Sequence, residues 1–195
     1  MPSFDDIRAE MTTAARLNFT EFLEEFPDHT FYAFALYTAS GADGGAMGAA
    51  NSEEQLVQIR QSYIDQGYGD MLESNEGHFR YCPDEWDING AGQSMRNWLR
   101  VTKLVEEVRK QFPPMSSDFM NTWMETMILS LEDLDKQGFF AKHWDREKIT
   151  AVVWLEGGEK WWVRSAKRIN PSSVFENFLN SMTHPREQWI ALLAD

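Results

Sequence analysis

Apolar residues recur every three or four positions along several stretches of the chain, and this spacing predicts amphipathic α-helices. The first helix is predicted over residues 4–23. Further helices are predicted over residues 51–67, 95–108, 116–138, 172–182 and 185–193, the last of them opened by Pro185. Asn51 and either Ser116 or Ser117 can cap helix N-termini, and Gly138 is suited to the left-handed residue at a C-terminus.

Other stretches are short, apolar and rich in aromatic or β-branched residues, and these predict strands. They are residues 31–38, 46–50, 78–81, 149–155 and 161–164. Gly157-Gly158 separates the last two as a hairpin turn would, so both are expected in one antiparallel sheet. The predicted fold class is α+β: an antiparallel sheet with a hairpin in the C-terminal half, packed by about five or six helices in a single domain over residues 1–195.

The composition is that of a folded protein with an acidic surface. Of the 195 residues 43% are hydrophobic, which supplies enough apolar surface for a core. With 18 basic and 31 acidic residues the net charge is −13, which disfavours nucleic acid and anionic membranes as partners. A single cysteine, Cys82, suits a reducing compartment, and the opening MPSFDDIRAE lacks the order of a secretory signal. We therefore expect a cytoplasmic protein that binds neither nucleic acid nor membrane.

Signals of metal binding or catalysis are weak. The histidines are far apart and form no HExxH motif, so neither a metal nor a cofactor is predicted. They are His29, His78, His143 and His184. Cys82 has no nucleophile motif around it, and the glycines of residues 41–48 lack the Lys-Ser or Lys-Thr of a phosphate loop. The sequence therefore favours a protein that is not an enzyme, without deciding the question.

The acidic residues are concentrated in one segment. Residues 51–90 hold 9 acidic and 2 basic side chains, whereas residues 91–115 and 148–170 each hold 2 acidic and 5 basic ones. A localised negative patch attracts a basic partner and raises its rate of encounter. The alternative, that the acidity only maintains solubility, stays open.

Eight tryptophans are many for this length. Trp98, Trp123 and Trp154 lie on predicted apolar stripes and are assigned to the core, while Trp161 and Trp162 would point to opposite faces of a strand. Trp86, within the run Asp84-Glu85-Trp86-Asp87, is the candidate for an exposed aromatic anchor with an acidic rim. A tryptophan that fills the edge of the sheet is the equal alternative.

Four stretches together resemble an uncharacterised bacterial family, domain of unknown function 4303. They are FYAFALYT from Phe31, AANSEEQL from Ala49, RYCPDEW from Arg80 and ITAVVWLEGGEKWWVRSAKRINP from Ile149. The resemblance spans about residues 4–182. It implies no agreed activity and no catalytic residues, and it suggests relatives among immunity-type genes beside bacterial toxins.

Two functions of different classes follow from these observations. The first is a non-catalytic binding domain, such as an immunity-like protein that occludes a basic toxin or effector. Its binding residues would be Asp84, Glu85, Trp86, Asp87, Glu156 and Glu159. The second is a small-molecule-binding enzyme of the hydrolase class with a site between sheet and helices. There Arg164 would clamp an anion together with a carboxylate from the 84–87 turn, unless Arg164 pairs with a helix carboxylate. A purely architectural role is a third possibility, and the oligomeric state is left open.

Overall fold

Four strands form one mixed sheet in the order β3-β2-β1-β4. They are β1 (Phe31–Thr38), β2 (Met47–Ser52), β3 (Ile88–Asn89) and β4 (Thr150–Leu155). The computed structural model describes residues 1–39, 45–89, 92–182 and 186–193. β1 pairs antiparallel with β2 and parallel with β4, so the predicted antiparallel sheet is wrong at the β1–β4 pair. A parallel pair needs a long crossover, and the long chain segment between these strands provides it.

Ten helices lie in the described ranges, and the α+β class is confirmed. They are α1 (Phe4–Glu25), α2 (Glu53–Asp65), α3 (Gly69–Ser74), α4 (Glu76–Tyr81), α5 (Met95–Arg109), α6 (Ser117–Lys136), α7 (Phe139–His143), α8 (Glu159–Ile169), α9 (Ser172–Ser181) and α10 (Arg186–Ala191). The number exceeds the prediction because α3, α4 and α7 are single turns or little more, too short for a periodic signal, and because α8 was predicted as a strand. Within these ranges no helix has both the length and the apolar character needed to cross a bilayer.

Two predicted strands are helices in the structure. Residues 78–81 belong to α4, and residues 161–164 belong to α8, so the C-terminal hairpin is wrong. The glycine pair makes a tight turn instead, in which the Gly158 N–H binds the Leu155 carbonyl at 2.9 Å. Four residues are too few to distinguish a strand from a helix, and only the full span to Ile169 shows the helical period. Pro185 and most of the predicted loop at residues 40–45 lie outside the described residues.

The sheet separates two apolar cores because side chains alternate along each strand. Phe34, Leu36 and Val153 lie on the face that packs against α1, α5 and α6. Ala35 and Trp154 lie on the opposite face, which packs against α2, α4, α8 and α9. The core assignment of Trp98, Trp123 and Trp154 is confirmed, since each is at most 2% exposed.

Side chains that follow β4 in sequence close the outer edge of this strand. The Trp162 indole N–H donates to the Leu155 carbonyl at 2.7 Å, and Ser165 Oγ accepts the Val153 N–H at 2.9 Å. Asn170 then binds both backbone groups of Ala151, each at 2.8 Å. These bonds satisfy groups that would otherwise need another strand, and they leave the far side of α8 facing solvent.

Candidate functional site

Trp86, the predicted aromatic anchor, is a core residue. Only 2% of its surface is exposed, and it belongs to the apolar cluster on the α2 side of the sheet. It stands two residues before β3, which is an edge strand, as expected of a tryptophan that packs at the sheet edge. The prediction that Trp86 is accessible to a partner is therefore wrong.

The carboxylates around Trp86 point to different elements of the fold. The contacts join Asp84 Oδ2 to the Trp154 indole N–H (3.3 Å), Glu85 Oε2 to the Tyr63 hydroxyl (2.7 Å) and Asp87 Oδ2 to the Gln55 side-chain amide (2.7 Å). The bond from its hydroxyl to Glu85 raises the pKa of Tyr63 to about 12. These bonds fasten the 84–87 turn to β4 and α2, while Asp84 and Asp87 remain exposed. Contact of these carboxylates with a partner stays a prediction.

Glu156 and Glu159 are exposed, as a role in binding requires. Glu156 lies in the turn after β4, and Glu159 lies in the first turn of α8, where a carboxylate stabilises the positive end of the helix dipole. They lie on either side of the turn that joins β4 to α8, and not in a hairpin as predicted. Their contact with a partner stays a prediction.

Cys82 is placed as a structural residue. Its side chain is 3% exposed, and the thiol donates a weak bond to Asp84 at 3.7 Å. Burial and the neighbouring carboxylates raise the pKa of this thiol to about 12. A nucleophilic cysteine needs the opposite surroundings, because the thiolate is the reactive form.

We expect Cys82 in the native protein to react with iodoacetamide at about pH 8 roughly two-thousandfold more slowly than in the urea-unfolded chain. An unperturbed thiol with a pKa of about 8.5 is about one quarter thiolate at that pH. A thiol with a pKa of about 12 is about one part in ten thousand thiolate. Mass spectrometry of quenched samples measures both rates, and equal rates would contradict the burial described here.

Ser52 and His29 form a serine–histidine contact, with 2.9 Å between Ser52 Oγ and His29 Nδ1. Ser52 is fully buried, and its Oγ accepts the Gln55 N–H at 3.1 Å as the N-cap of α2. The cap is therefore Ser52 and not the predicted Asn51. This geometry stabilises a helix terminus and offers no accessible nucleophile. Across the described ranges no three or more residues of metal-ligand type are grouped.

Four exposed apolar side chains of the acidic segment lie on α2, on α3 and on the link between them. Val57, Ile64, Tyr68 and Met71 are 66%, 52%, 52% and 47% exposed. Val57 and Ile64 are two helical turns apart and share one side of α2. A Cβ atom on Gly69 would lie 3.8 Å from Ile64, and the Met71 N–H binds the Tyr68 carbonyl at 3.0 Å. We call these four residues the α2–α3 face.

The α2–α3 face lies in the most acidic part of the chain. Asp65 and Asp70 are exposed between and beside its apolar residues. The two arginines of residues 51–90 are both neutralised within the segment, Arg60 by Glu76 and Arg80 by Glu53. A sequence signal for these exposed residues existed. Val57 and Ile64 lie on the side of α2 opposite its buried stripe, and Tyr68 lies between Gly67 and Gly69.

Arg164 pairs with a helix carboxylate, as the alternative interpretation held. Its Nη2 lies 3.2 Å from Glu125 Oε2 on α6. The ion pair is thus with α6 and not with the 84–87 turn, so the predicted combination of Arg164 with that turn is wrong. Arg164 does line two adjoining cavities, of about 350 and 400 Å³.

Comparison with known proteins identifies a family and nothing more specific. The family profile described as Domain of unknown function (DUF4303) matches residues 11–171. No curated protein and no solved structure matches the chain significantly.

Proposed function

Since this chain belongs to the family Domain of unknown function (DUF4303), whose description names no activity, we propose a function from the α2–α3 face: non-catalytic binding of a basic protein partner. The specific form proposed is an immunity-like protein of a bacterial cell that occludes a basic toxin or effector. The cytoplasm is the proposed compartment, because Cys82 is a free, buried thiol and suits a reducing environment.

One observation carries this proposal: apolar side chains are exposed together in the segment with the largest excess of carboxylates. Exposed apolar patches rimmed by polar residues are typical of protein-binding surfaces. A tyrosine in such a patch is a frequent hot spot, since it buries a large ring and keeps a polar tip. Tyr68 takes the place that the sequence had suggested for Trp86.

The charges around the face specify the partner. Asp65 and Asp70 are exposed and can form ion pairs at the rim of an interface, and the neutralised arginines leave the segment negative. Such rim charges act mainly on the association rate and lose their effect as salt is added. The partner surface is therefore expected to be basic, with an apolar centre that covers Tyr68.

A photo-crosslinking amino acid at position 68, introduced in the native host, is expected to capture one basic protein. The matched control is position 99 on α5, because Leu99 is 55% exposed but lies on a helix rich in basic residues. The captured protein is then produced on its own, and its affinity for the wild-type chain is measured by titration calorimetry. Capture at position 99 alone, or of an acidic protein, would overturn the proposal.

With that purified partner, Tyr68→Ala is expected to raise the Kd roughly 10- to 100-fold, the usual range for a hot-spot tyrosine. The double variant Asp65→Asn with Asp70→Asn is expected to slow association by about tenfold at low salt and to change dissociation little. Leu99→Ala serves as the control and should leave both rates unchanged. Equal affinities for wild type and Tyr68→Ala would remove the α2–α3 face from the interface.

A second copy of this chain is the competing occupant. α5 carries Arg96, Arg100 and Lys103 beside the exposed Leu99, which is the complement of the α2–α3 face. Sedimentation velocity at several concentrations separates the two cases. A monomer agrees with the proposal, whereas association that Tyr68→Ala abolishes would show that the face serves self-assembly instead.

A further inference from the structure

A stripe of cations follows the solvent side of α8, although the chain as a whole is acidic. Lys160, Arg164, Lys167 and Arg168 are spaced by four, three and one residues, which places them on one side of the helix. The opposite side carries Trp162 and Ser165, which bind the edge of β4. The contacts that hold α8 to the sheet thus also orient its cations outward.

Two adjoining cavities meet at this stripe. One has a volume of about 350 Å³ and is lined by the four cations together with Trp161, Leu192 and Leu193. The other, of about 400 Å³, is lined by Asn121, Thr122 and Glu125 of α6 and shares the walls Lys160, Trp161 and Arg164. A site that combines an apolar end with a few charged groups is the usual form of a small-molecule pocket, and these volumes are of the usual size.

The cations are only partly neutralised by α6. Arg168 is held by Glu125 and Glu132, with its Nη2 2.8 Å from Glu132 Oε1. These two carboxylates pair with Arg164 and Arg168 of the stripe, so of its four positive charges 4 − 2 = 2 are not offset by them. Within the described residues Glu125 Oε2 accepts no hydrogen bond, so the approach of Arg164 at 3.2 Å is an ion pair that leaves guanidinium N–H donors for another group.

Trp161 connects the charged and apolar parts of the two cavities. The Lys160 ammonium lies 5.2 Å and the Arg164 guanidinium carbon 5.4 Å from the centroid of its ring. These cation–π contacts hold both side chains beside the indole. Trp161 itself is 5% exposed, so only an edge of its ring reaches the cavities. The half-buried Leu192 and Leu193 add apolar surface beside an anion bound by Lys160 and Arg164.

We propose that the two cavities form a binding site for a small organic anion with an aromatic or aliphatic body. Its carboxylate, phosphate or sulfonate group binds Arg164, Lys160 and Lys167, because guanidinium and ammonium groups donate charge-assisted hydrogen bonds to such oxygens. Its body lies against Trp161, Leu192 and Leu193. This site uses none of the residues of the α2–α3 face, so it is independent of the proposed partner interface.

The test uses 8-anilinonaphthalene-1-sulfonate, whose fluorescence rises in an apolar environment. We expect the double variant Lys160→Gln with Lys167→Gln to raise the Kd of this probe at least tenfold. N-phenyl-1-naphthylamine, the same probe without its sulfonate, should bind both proteins equally weakly. The control double variant, Lys103→Gln with Lys142→Gln, removes the same charge elsewhere and should bind like wild type.

The position of the bound probe is checked by the indole N–H signals of the ¹⁵N-labelled wild-type protein. Trp161→Phe identifies the Trp161 signal, and this signal is expected to shift most on addition of the sulfonate probe. The proposal is overturned if Tyr68→Ala abolishes binding while the lysine variant does not, since the probe would then report the α2–α3 face. It is also overturned if the control variant weakens binding as much, or if the neutral probe binds as tightly.

Discussion

Replacing Gly77 by alanine is expected to lower the free energy of unfolding by about 3 kcal/mol, the upper part of the usual range for overpacking. Gly77 lies in α4, where the helix crosses the end of α9. An added Cβ would stand 1.6 Å from the Ser181 carbonyl oxygen and 2.4 Å from its carbon. Both are backbone atoms that no rotamer change can move, so one of the two helices has to shift.

Gly69→Ala is the matched control for this substitution. A Cβ atom there would meet only Ile64, at 3.8 Å, which is an ordinary van der Waals contact. Urea unfolding followed by circular dichroism should give Gly69→Ala a stability within about 0.5 kcal/mol of wild type. If Gly77→Ala were equally neutral, the close crossing of α4 and α9 would be wrong.

Asn170→Ala is expected to lower the free energy of unfolding by about 3 kcal/mol, because it leaves two buried backbone groups without partners. The Asn170 side chain accepts the Ala151 N–H and donates to the Ala151 carbonyl, both at 2.8 Å. It also donates to the Ala166 carbonyl at 2.8 Å, at the C-terminal end of α8. Ala151 is fully buried, so water cannot replace these bonds.

Two further variants show whether the edge contacts are responsible for this loss. Asn170→Asp keeps an acceptor for the Ala151 N–H beside Arg146 but sets a carboxylate oxygen against the Ala151 and Ala166 carbonyls, so a loss at least as large as that of Asn170→Ala is expected. Asn180→Ala removes an exposed asparagine and should change the stability by less than about 0.5 kcal/mol. A small effect of Asn170→Ala, equal to that of Asn180→Ala, would contradict the closure of the β4 edge by side chains.

Asn170 also helps to hold the helix that carries the proposed anion site. α8 presents its cations outward because Trp162, Ser165 and the residue just after the helix, Asn170, hold its other side to β4. A variant that loosens this attachment should weaken binding of the sulfonate probe and also lower the free energy of unfolding. The double variant Lys160→Gln with Lys167→Gln should differ from it in one respect. It should weaken binding of the probe and leave the midpoint of urea unfolding unchanged.

The long helices could be predicted from the sequence because their signals are local. The apolar stripes of α1, α5 and α6 repeat over four turns or more, so the helical period is clear without any tertiary contact. Ser116 caps α6 through the Phe119 N–H at 3.3 Å, and Gly138 follows it with a φ of 76°. Both positions were predicted, since capping depends only on the residues within one turn.

The errors arose where a segment was short or where its environment decided. Residues 161–164 have two tryptophans and a valine, which favour a strand, yet the whole of α8 has its apolar residues on one helical side. The parallel β1–β4 pair was not predictable, because pairing partners distant in sequence leave no local pattern. In the same way, Trp86 lies among three acidic residues, a pattern that favours an exposed side chain. Only the tertiary structure shows the core that encloses it.

The residue sequence by itself determined where the charge and the helical periods lie: an acidic segment at 51–90, a basic one at 148–170, and the apolar stripes that carry Trp98 and Trp123. The tertiary structure decided which of these groups are available to bind. Asp84, Glu85 and Asp87 have hydrogen-bond partners within the fold, although Asp84 and Asp87 stay exposed, and Trp86 between them is buried. Tyr68 and the cations of α8 face solvent. The physical reason is that net charge is a sum over residues, while availability depends on hydrogen-bond partners and burial, which exist only after distant elements have packed together.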